Sequence, residues 1–364
     1  MLLLVIECVS RYNWKQLFQG ARLELKDDEE IRVEQATWDE ISLVSYPNNL
    51  VVTAAASERP EKREQRTFCP NFVLMRSESK GHWGQDSTNK FFTLLHSGVP
   101  CVNSVFSIYC FLHKPVVWAA LKQIQKKLGY KTFPLVSQNM YPSFREMVIT
   151  PDLPCVGKIG SFDAAKGKAV LRTNEALQDF TSIVAVQPAY TTLEDFIEWD
   201  WDGRVQVIGP HVRVFKRQTE SWKGNLGRGA IIEELEPTPQ WNLWAEECRQ
   251  LFGGLQMFGL DFVHDIKTDS YVILELNGTA CGLVQRCEQE DMLHMRDLVM
   301  SEMQALVNPV HPALANTERN SSDATGAINV LQEQIRRLSQ QNKSLTEQLD
   351  LEKQKKKGFS FFFK

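Results

Sequence analysis

A chain of 364 residues, 43% of them hydrophobic, has room for one large domain or two, each with a real core. Its formal net charge of −4 offers no electrostatic case for nucleic acid as the main partner. The apolar opening MLLLVIECV is too short to span a membrane. It also lacks the basic start and small-residue cleavage site of a signal peptide, so it reads as a buried first strand. Eight cysteines without CxxC pairs then read as reduced, buried small residues of a cytoplasmic protein.

Residues 1–107 read as an α/β unit. Leu2–Ile6, Val51–Ala55, Phe72–Met75 and Val99–Val102 are expected as short buried strands, separated by more polar, partly helical segments. The charged run Ser57–Arg66 is a solvated loop or exposed helix, and Asn103 and Ser104 offer a helix cap. A second unit, 108–307, opens with a helix: Pro115 suits its first turn, Val117, Leu121, Ile124 and Leu128 form its stripe, and Gly129 ends it. Next, PCVGKIGSFDAAKGKAVLR reads as strand, loop, strand, with Lys158 on the first strand and Lys168 at the loop's end. Lys158 either snorkels to water or, with Lys168, holds a polyphosphate. The segment is not a Walker loop, because six residues separate Gly160 from Gly167 and Ala169 follows Lys168.

Further on, TLEDFI at 192–197 is extended, and DGRVQVIGPHVRVFKRQ reads as two strands joined by a Gly–Pro turn. Arg204, Arg213 and Arg217 alternate with Val and Phe there. They are either paired surface charges, or Arg204 and Arg217 face anionic groups. A Gly-rich loop, SWKGNLGRGA, presents Lys223 and Asn225. Thr238–Pro239 then opens a helix with Trp241, Trp244, Ala245, Cys248 and Leu251 along one face.

The stretch GLDFVHDIKTDSYVILELNG reads as a hairpin turning near Thr268, which sets Asp261 opposite Glu275 with Asn277 on the same face. Two carboxylates and an amide oxygen suit a hard divalent cation, and a solvated outer face is the plainer alternative. Residues 308–326 read as a Pro- and Ser-rich linker. Within 327–356, Ile328, Leu331, Ile335, Leu338, Asn342, Leu345 and Leu349 form heptads, with Asn342 at an a position that favours a parallel dimer. A single helix packed on its own body is the alternative. The basic-aromatic end, 357–364, reads as a disordered tail or as a contact for an anionic membrane surface.

Lys114-Pro115, Lys158, Lys168, TLEDFI, Asp202-Gly203-Arg204, the SWKGN loop and Asp261 with Glu275-Leu276-Asn277 follow the order typical of ATP-grasp proteins. More closely, LLVIE, FVLMR, VPCVNSVFSIY, HKP, YPSFREM, RVQVIG and FGGL give residues 1–305 a resemblance to the central domain of the synapsin family. The resemblance implies a pre-ATP-grasp α/β domain followed by a two-lobed ATP-grasp domain, with ATP and Mg or Ca bound between the lobes. It implies phosphate contacts from Lys114 and Lys158, with Lys168 beside the mobile loop. Glu194, Asp195, Phe196 and Ile197 would form a hinge strand along the adenine edge. Lys223 would reach in from above, and Asp261 and Glu275 would hold the cation.

Synapsins oligomerise on the cytoplasmic face of synaptic vesicles and regulate transmitter release, and these are the partners and the location expected from the resemblance. Three features depart from it. The chain starts at the first strand, without the vesicle-binding N-terminal region of synapsins. Heptads stand in place of a Pro-rich tail. Asp261 with Glu-Leu-Asn is closer to the metal triad of ATP-grasp ligases, while the loop SFDAAKGK has fewer glycines than expected and places Asp163 beside the phosphates.

The expected function is a self-associating, ATP-binding regulator. The alternative is a carboxylate–amine ligase, in which Arg204, Arg217 and Asn225 would serve an acyl phosphate. A third reading is a coiled-coil adaptor on a degenerate ATP fold.

Overall fold

Leu2–Ile6 is apolar without interruption because the strand it forms, β1 (Leu2–Glu7), is covered on both faces. The computed structural model describes residues 1–307 apart from 8–11, 25–29, 48, 59–60, 81–85, 151, 161–165, 188, 220–230 and 281. Lys223, Asn225, Asp163, the linker, the heptads and the basic-aromatic end therefore lie outside the described residues.

After β1 come α1 (Trp14–Leu17), β2 (Arg32–Thr37), β3 (Ile41–Tyr46), β4 (Asn49–Ala54), β5 (Arg66–Phe68), β6 (Phe72–Met75), α2 (Thr88–Ser97), β7 (Cys101–Val102) and α3 (Val105–Phe111). Strands β2-β1-β6-β7 form a parallel sheet in that order. Val51–Ala54 does form a strand, but not in this sheet. It is the middle strand of a separate antiparallel sheet, β3-β4-β5, and every second residue of β4 is buried. The alternation of NLVVTA fits a sheet covered on one face better than a doubly covered parallel strand. Arg66 closes the charged run and pairs with Glu34 at 2.5 Å, so this end of the run is tied down. The Ser104 hydroxyl caps α3 by accepting from the Ser107 amide. Asn103 instead clamps the chain at Gln256–Met257 through its side-chain oxygen and nitrogen.

The second half begins with α4 (Lys114–Leu128), which has Pro115 in its first turn and Gly129 at its end, as expected. Next come β8 (Gln138–Tyr141), β9 (Cys155–Ile159), β10 (Lys168–Leu171), α5 (Asn174–Ala185) and β11 (Thr191–Asp195). These strands make an antiparallel sheet in the order β10-β9-β11-β8, backed by α5. A larger antiparallel sheet follows, in the order β14-β13-β12-β15-β16. Its strands are β12 (Trp199–Ile208), β13 (His211–Gln218), β14 (Ile231–Leu235), β15 (Met257–Asp265) and β16 (Ser270–Asn277). Helix α6 (Pro239–Arg249) is capped by Thr238, and its tryptophans join the stripe of α4 in covering one face of this sheet.

The last helix, α7 (Glu288–Val307), buries Met292, Met295, Leu298, Val299 and Met303 against α1, Leu3, Val5 and Phe72, so the end of the described chain returns to its first strand. Fold class and architecture are thus the mixed α/β arrangement expected, within the described residues.

Candidate functional site

The smaller sheet, the larger one and the start of α4 line two adjoining cavities, both open to solvent. Both are lined by Lys158, Lys168, Glu194, Leu274 and Glu275. The first adds Lys114, Trp118, Gln138, Tyr190 and Thr192. The second adds Val156, Asp195, Phe196, Ile197, Trp199, Asp202, Arg217 and Asp261.

Register explains how lysines from separate segments meet. Lys158 on β9 lies directly opposite Lys168 on β10 and Thr192 on β11. Two like charges side by side need a counter-charge, and β11 supplies one for Lys158. Its Nζ is 2.5 Å from the carboxylate of Glu194, which is only 4% exposed and also accepts from Gln138 Nε2 at 2.6 Å. Glu194, expected to contribute backbone at a hinge, is therefore also a buried ionic partner. Lys168 turns to the other wall, 3.8 Å from Glu275, and Lys114 at the start of α4 stands 4.0 Å from the same carboxylate.

On the larger sheet, Asp261 lies opposite Glu275, and a bulge just beyond brings Leu274 to the cavities beside Glu275. Asn277 donates to Asp261 at 2.8 Å, and its oxygen accepts from Lys114 at 3.3 Å. Arg204 grips Asp261 with two nitrogens, at 2.6 and 3.1 Å, while Arg217 bonds Asp202 at 2.6 Å. Both arginines are thus engaged with carboxylates across strands, the plainer of the two alternatives the sequence left open. Arg217 still lines the larger cavity. Burial alone would push the Glu275 carboxyl up. The charges of Lys114, Lys168, Lys158 and Arg204 outweigh it and hold the group far below the usual carboxylate range. Burial wins at Asp202, which is lifted above its ordinary value despite Arg217.

The donor chemistry fits a hard divalent cation. Asp261, Glu275 and Asn277 present oxygens on one sheet face. Among the described residues, no cluster of three or more His, Cys, Asp or Glu could hold a metal. A cation at this face would therefore complete its shell from phosphate and water, as magnesium usually does.

The structure brings Lys114, Lys158, Lys168, Glu194, Asp195, Phe196, Ile197, Arg217, Asp261 and Glu275 to the cavities. Arg204 and Asn277 stand behind them, bonded to Asp261. Gln138, Trp118 and Tyr190 line the cleft without having been singled out from the sequence. Gln138 sits in a Pro-bounded extended stretch with no motif, whereas Trp118 was findable one turn beyond Lys114 on the same helix.

Solved structures of similar fold define its fold class. The ATP-grasp ligase PsnB, complexed with a phosphomimetic variant of a minimal precursor, Mg and ADP, matches with a TM-score of 0.55 at 14% identity, over 82% of this chain and 98% of that one. D-alanine–D-alanine ligase from Bacillus anthracis matches at 0.52 and 14%, over 84% and 98%. At such identities the likeness is one of fold, and the fold is ATP-grasp. A family model described as "Synapsin, ATP binding domain" matches residues 103–305, and a second, "Synapsin pre-ATP-grasp domain", matches residues 1–101. Synapsin of Drosophila melanogaster is 33% identical over 311 residues, covering 84% of this chain. The chain belongs to the synapsin family. It spans 30% of the length of that relative.

Proposed function

We propose that this is a nucleotide-responsive regulatory protein that binds ATP together with Mg or Ca in the cleft between the two sheets. The observation that carries this reading is the meeting of Lys114, Lys158 and Lys168, from separate segments, around Glu194 and Glu275 in the cleft. Val156, Phe196, Ile197 and Leu274 supply an apolar slot for a base, with the backbone of Glu194–Ile197 along its edge. The three lysines balance phosphate charge. Asp261 and Glu275, supported by Asn277, hold the cation that bridges the phosphates and neutralises part of their charge.

The three lysines are paired with the protein's own acids. ATP and its cation would exchange those partners together: phosphate takes the lysines, and the cation takes the released carboxylates. Binding would then stabilise one arrangement of the cleft walls. Self-association and a place on the cytoplasmic face of synaptic vesicles complete the reading, supported by the family alone.

The test is calorimetric titration of ATP with Mg, with Ca and with neither, on the wild type and on Asp261→Ala/Glu275→Ala. Cation-dependent binding is expected in the wild type, and the double variant should lose that dependence. Equal binding in all arms would remove the cation from the cleft.

The second reading is an ATP-dependent carboxylate–amine ligase. It is favoured by one observation, the juxtaposition of Asp261, Glu275 and Asn277 with Arg204. ADP release over a panel of carboxylates and amines distinguishes it, since a regulator gives none.

A further inference from the structure

The two carboxylates of the cation face are not equally available. Glu275 stands 4.0 Å from Lys114 and 3.8 Å from Lys168, near enough for attraction but beyond hydrogen-bond reach. Asp261 is engaged on both oxygens. Its Oδ1 accepts from Arg204 Nε at 2.6 Å, and its Oδ2 accepts from Arg204 Nη2 at 3.1 Å and from Asn277 Nδ2 at 2.8 Å. Two-pronged guanidinium–carboxylate pairs of this kind are among the strong hydrogen-bonded contacts of proteins.

The sheet builds this grip. Arg204 on β12 lies directly opposite Asp261 on β15, and its stem passes over Gly259, the neighbour two residues along β15. A Cβ at Gly259 would fall 3.3 Å from Arg204 Cδ, so the absence of a side chain there gives the arginine its seat.

Charge points the same way. Lys114, Lys168 and Arg204 outnumber the two carboxylates they hold. A divalent cation arriving alone therefore meets an excess of positive charge as well as an occupied carboxylate. Magnesium, besides, gives up its own water reluctantly. A polyphosphate on the lysines reverses that balance.

We propose that Arg204 is a latch on the cation face: it closes Asp261 to a divalent cation until nucleotide phosphate has neutralised the lysines. Cation and nucleotide then enter as a coupled pair rather than independently. When the latch opens, the guanidinium keeps the Gly282 carbonyl, which its Nη1 already reaches at 3.4 Å. The latch rests on the reading of the cleft given above for the place of the cation, and adds the residue that makes cation binding conditional. Sites linked in this way bias each other reciprocally, typically by about 5–150-fold.

The test leaves nucleotide out. Magnesium chloride and calcium chloride are titrated separately into the full chain by calorimetry, with the wild type beside Arg204→Gln. The wild type should bind both cations weakly, and Arg204→Gln should bind at least one of them about tenfold more tightly or better. Adding Asp261→Asn to Arg204→Gln should abolish that gain. Arg204→Lys keeps the charge but not the two-pronged grip. It should give a smaller gain in the same direction, and it carries the test should Arg204→Gln not fold. A wild type that binds cation as tightly as the Arg204 variants overturns the latch, and so does a gain that survives Asp261→Asn. Because no nucleotide is present, either result is distinct from a wild type whose ATP binding ignores the cation, which would sink the reading of the cleft itself.

Discussion

The larger sheet has two faces built from the same strands, and they do different work. Trp201, Val205, Val207, Leu260, Phe262 and Leu276 point toward α4 and α6 and disappear into one apolar core. Asp202, Arg204, Asp261 and Glu275, their immediate neighbours in sequence, point the other way into a web of ion pairs around the cleft. Period-two alternation thus writes a scaffold and a site into a single stretch of chain. The difference is one of tolerance. The apolar face has close-packed rings with no slack, whereas the charged face consists of partners that can be exchanged for a ligand.

Breaking the apolar face should therefore cost the most stability. Trp244 is fully buried between the rings of Phe133, Phe262 and Tyr271, and its indole N–H donates to the Thr132 carbonyl at 2.7 Å. Trp244→Ala should lower unfolding free energy by about 3–5 kcal/mol, read by urea denaturation. A loss under about 1 kcal/mol would mean that α6 is not packed on the sheet as described.

A subtler strike on the same face is Gly203→Ala. Glycine is needed there because a Cβ would fall 2.3 Å from the Phe262 ring. The ring, wedged by Trp201, Trp241 and Trp244, has little room to retreat. Overpacking of about 1–3 kcal/mol is expected. Because the methyl points away from the cleft, cation dependence of ATP binding should persist in this variant. Its loss would show that the two faces are coupled rather than independent.

How much of this was legible follows the same division. Doubly covered strands announce themselves as unbroken apolar runs, which is why β1 and β6 stand out from sequence. Caps and stripes likewise mark α4 and α6. The hairpin of β15 and β16 also reads from alternation and a turn near Thr268. Asp261 does stand opposite Glu275, but it is a bulge between Asp261 and Phe262, with no mark in the sequence, that sets it there rather than opposite Leu274. By contrast, β2 (RVEQAT) is too polar to read as a buried strand. It lies at a sheet edge, and its Glu34 and Gln35 are held by Arg66 and by the Trp14 amide.

On the charged face, sequence shows which residues carry charge but not which ones meet. The Lys158–Glu194 pair depends on the register of β9 against β11, and the Lys168–Glu275 pair on two sheets facing each other. Such pairings are tertiary facts with no local signature.

The smallest expected effect lies where the apolar face runs out. His264, on β15 beyond Phe262, stacks on Trp201 with ring centroids 5.5 Å apart and an interplanar angle of 11°. Its ring nitrogens stand 2.8 Å from Asp200 and 3.1 Å from Asp269. Burial would lower its pKa, but the two hydrogen-bonded aspartates prevail and raise it above 6.5. A histidine raised in the folded state contributes stability that is fully present below pH 6.5 and lost as pH rises through the folded value. His264→Phe keeps a ring against Trp201 and removes the charge. The wild type should therefore melt higher than the variant near pH 6, and the gap should close toward about pH 8. Parallel melting curves across that window would mean that the aspartates do not hold the imidazolium, and that the sheet's end is secured by the ring stack alone.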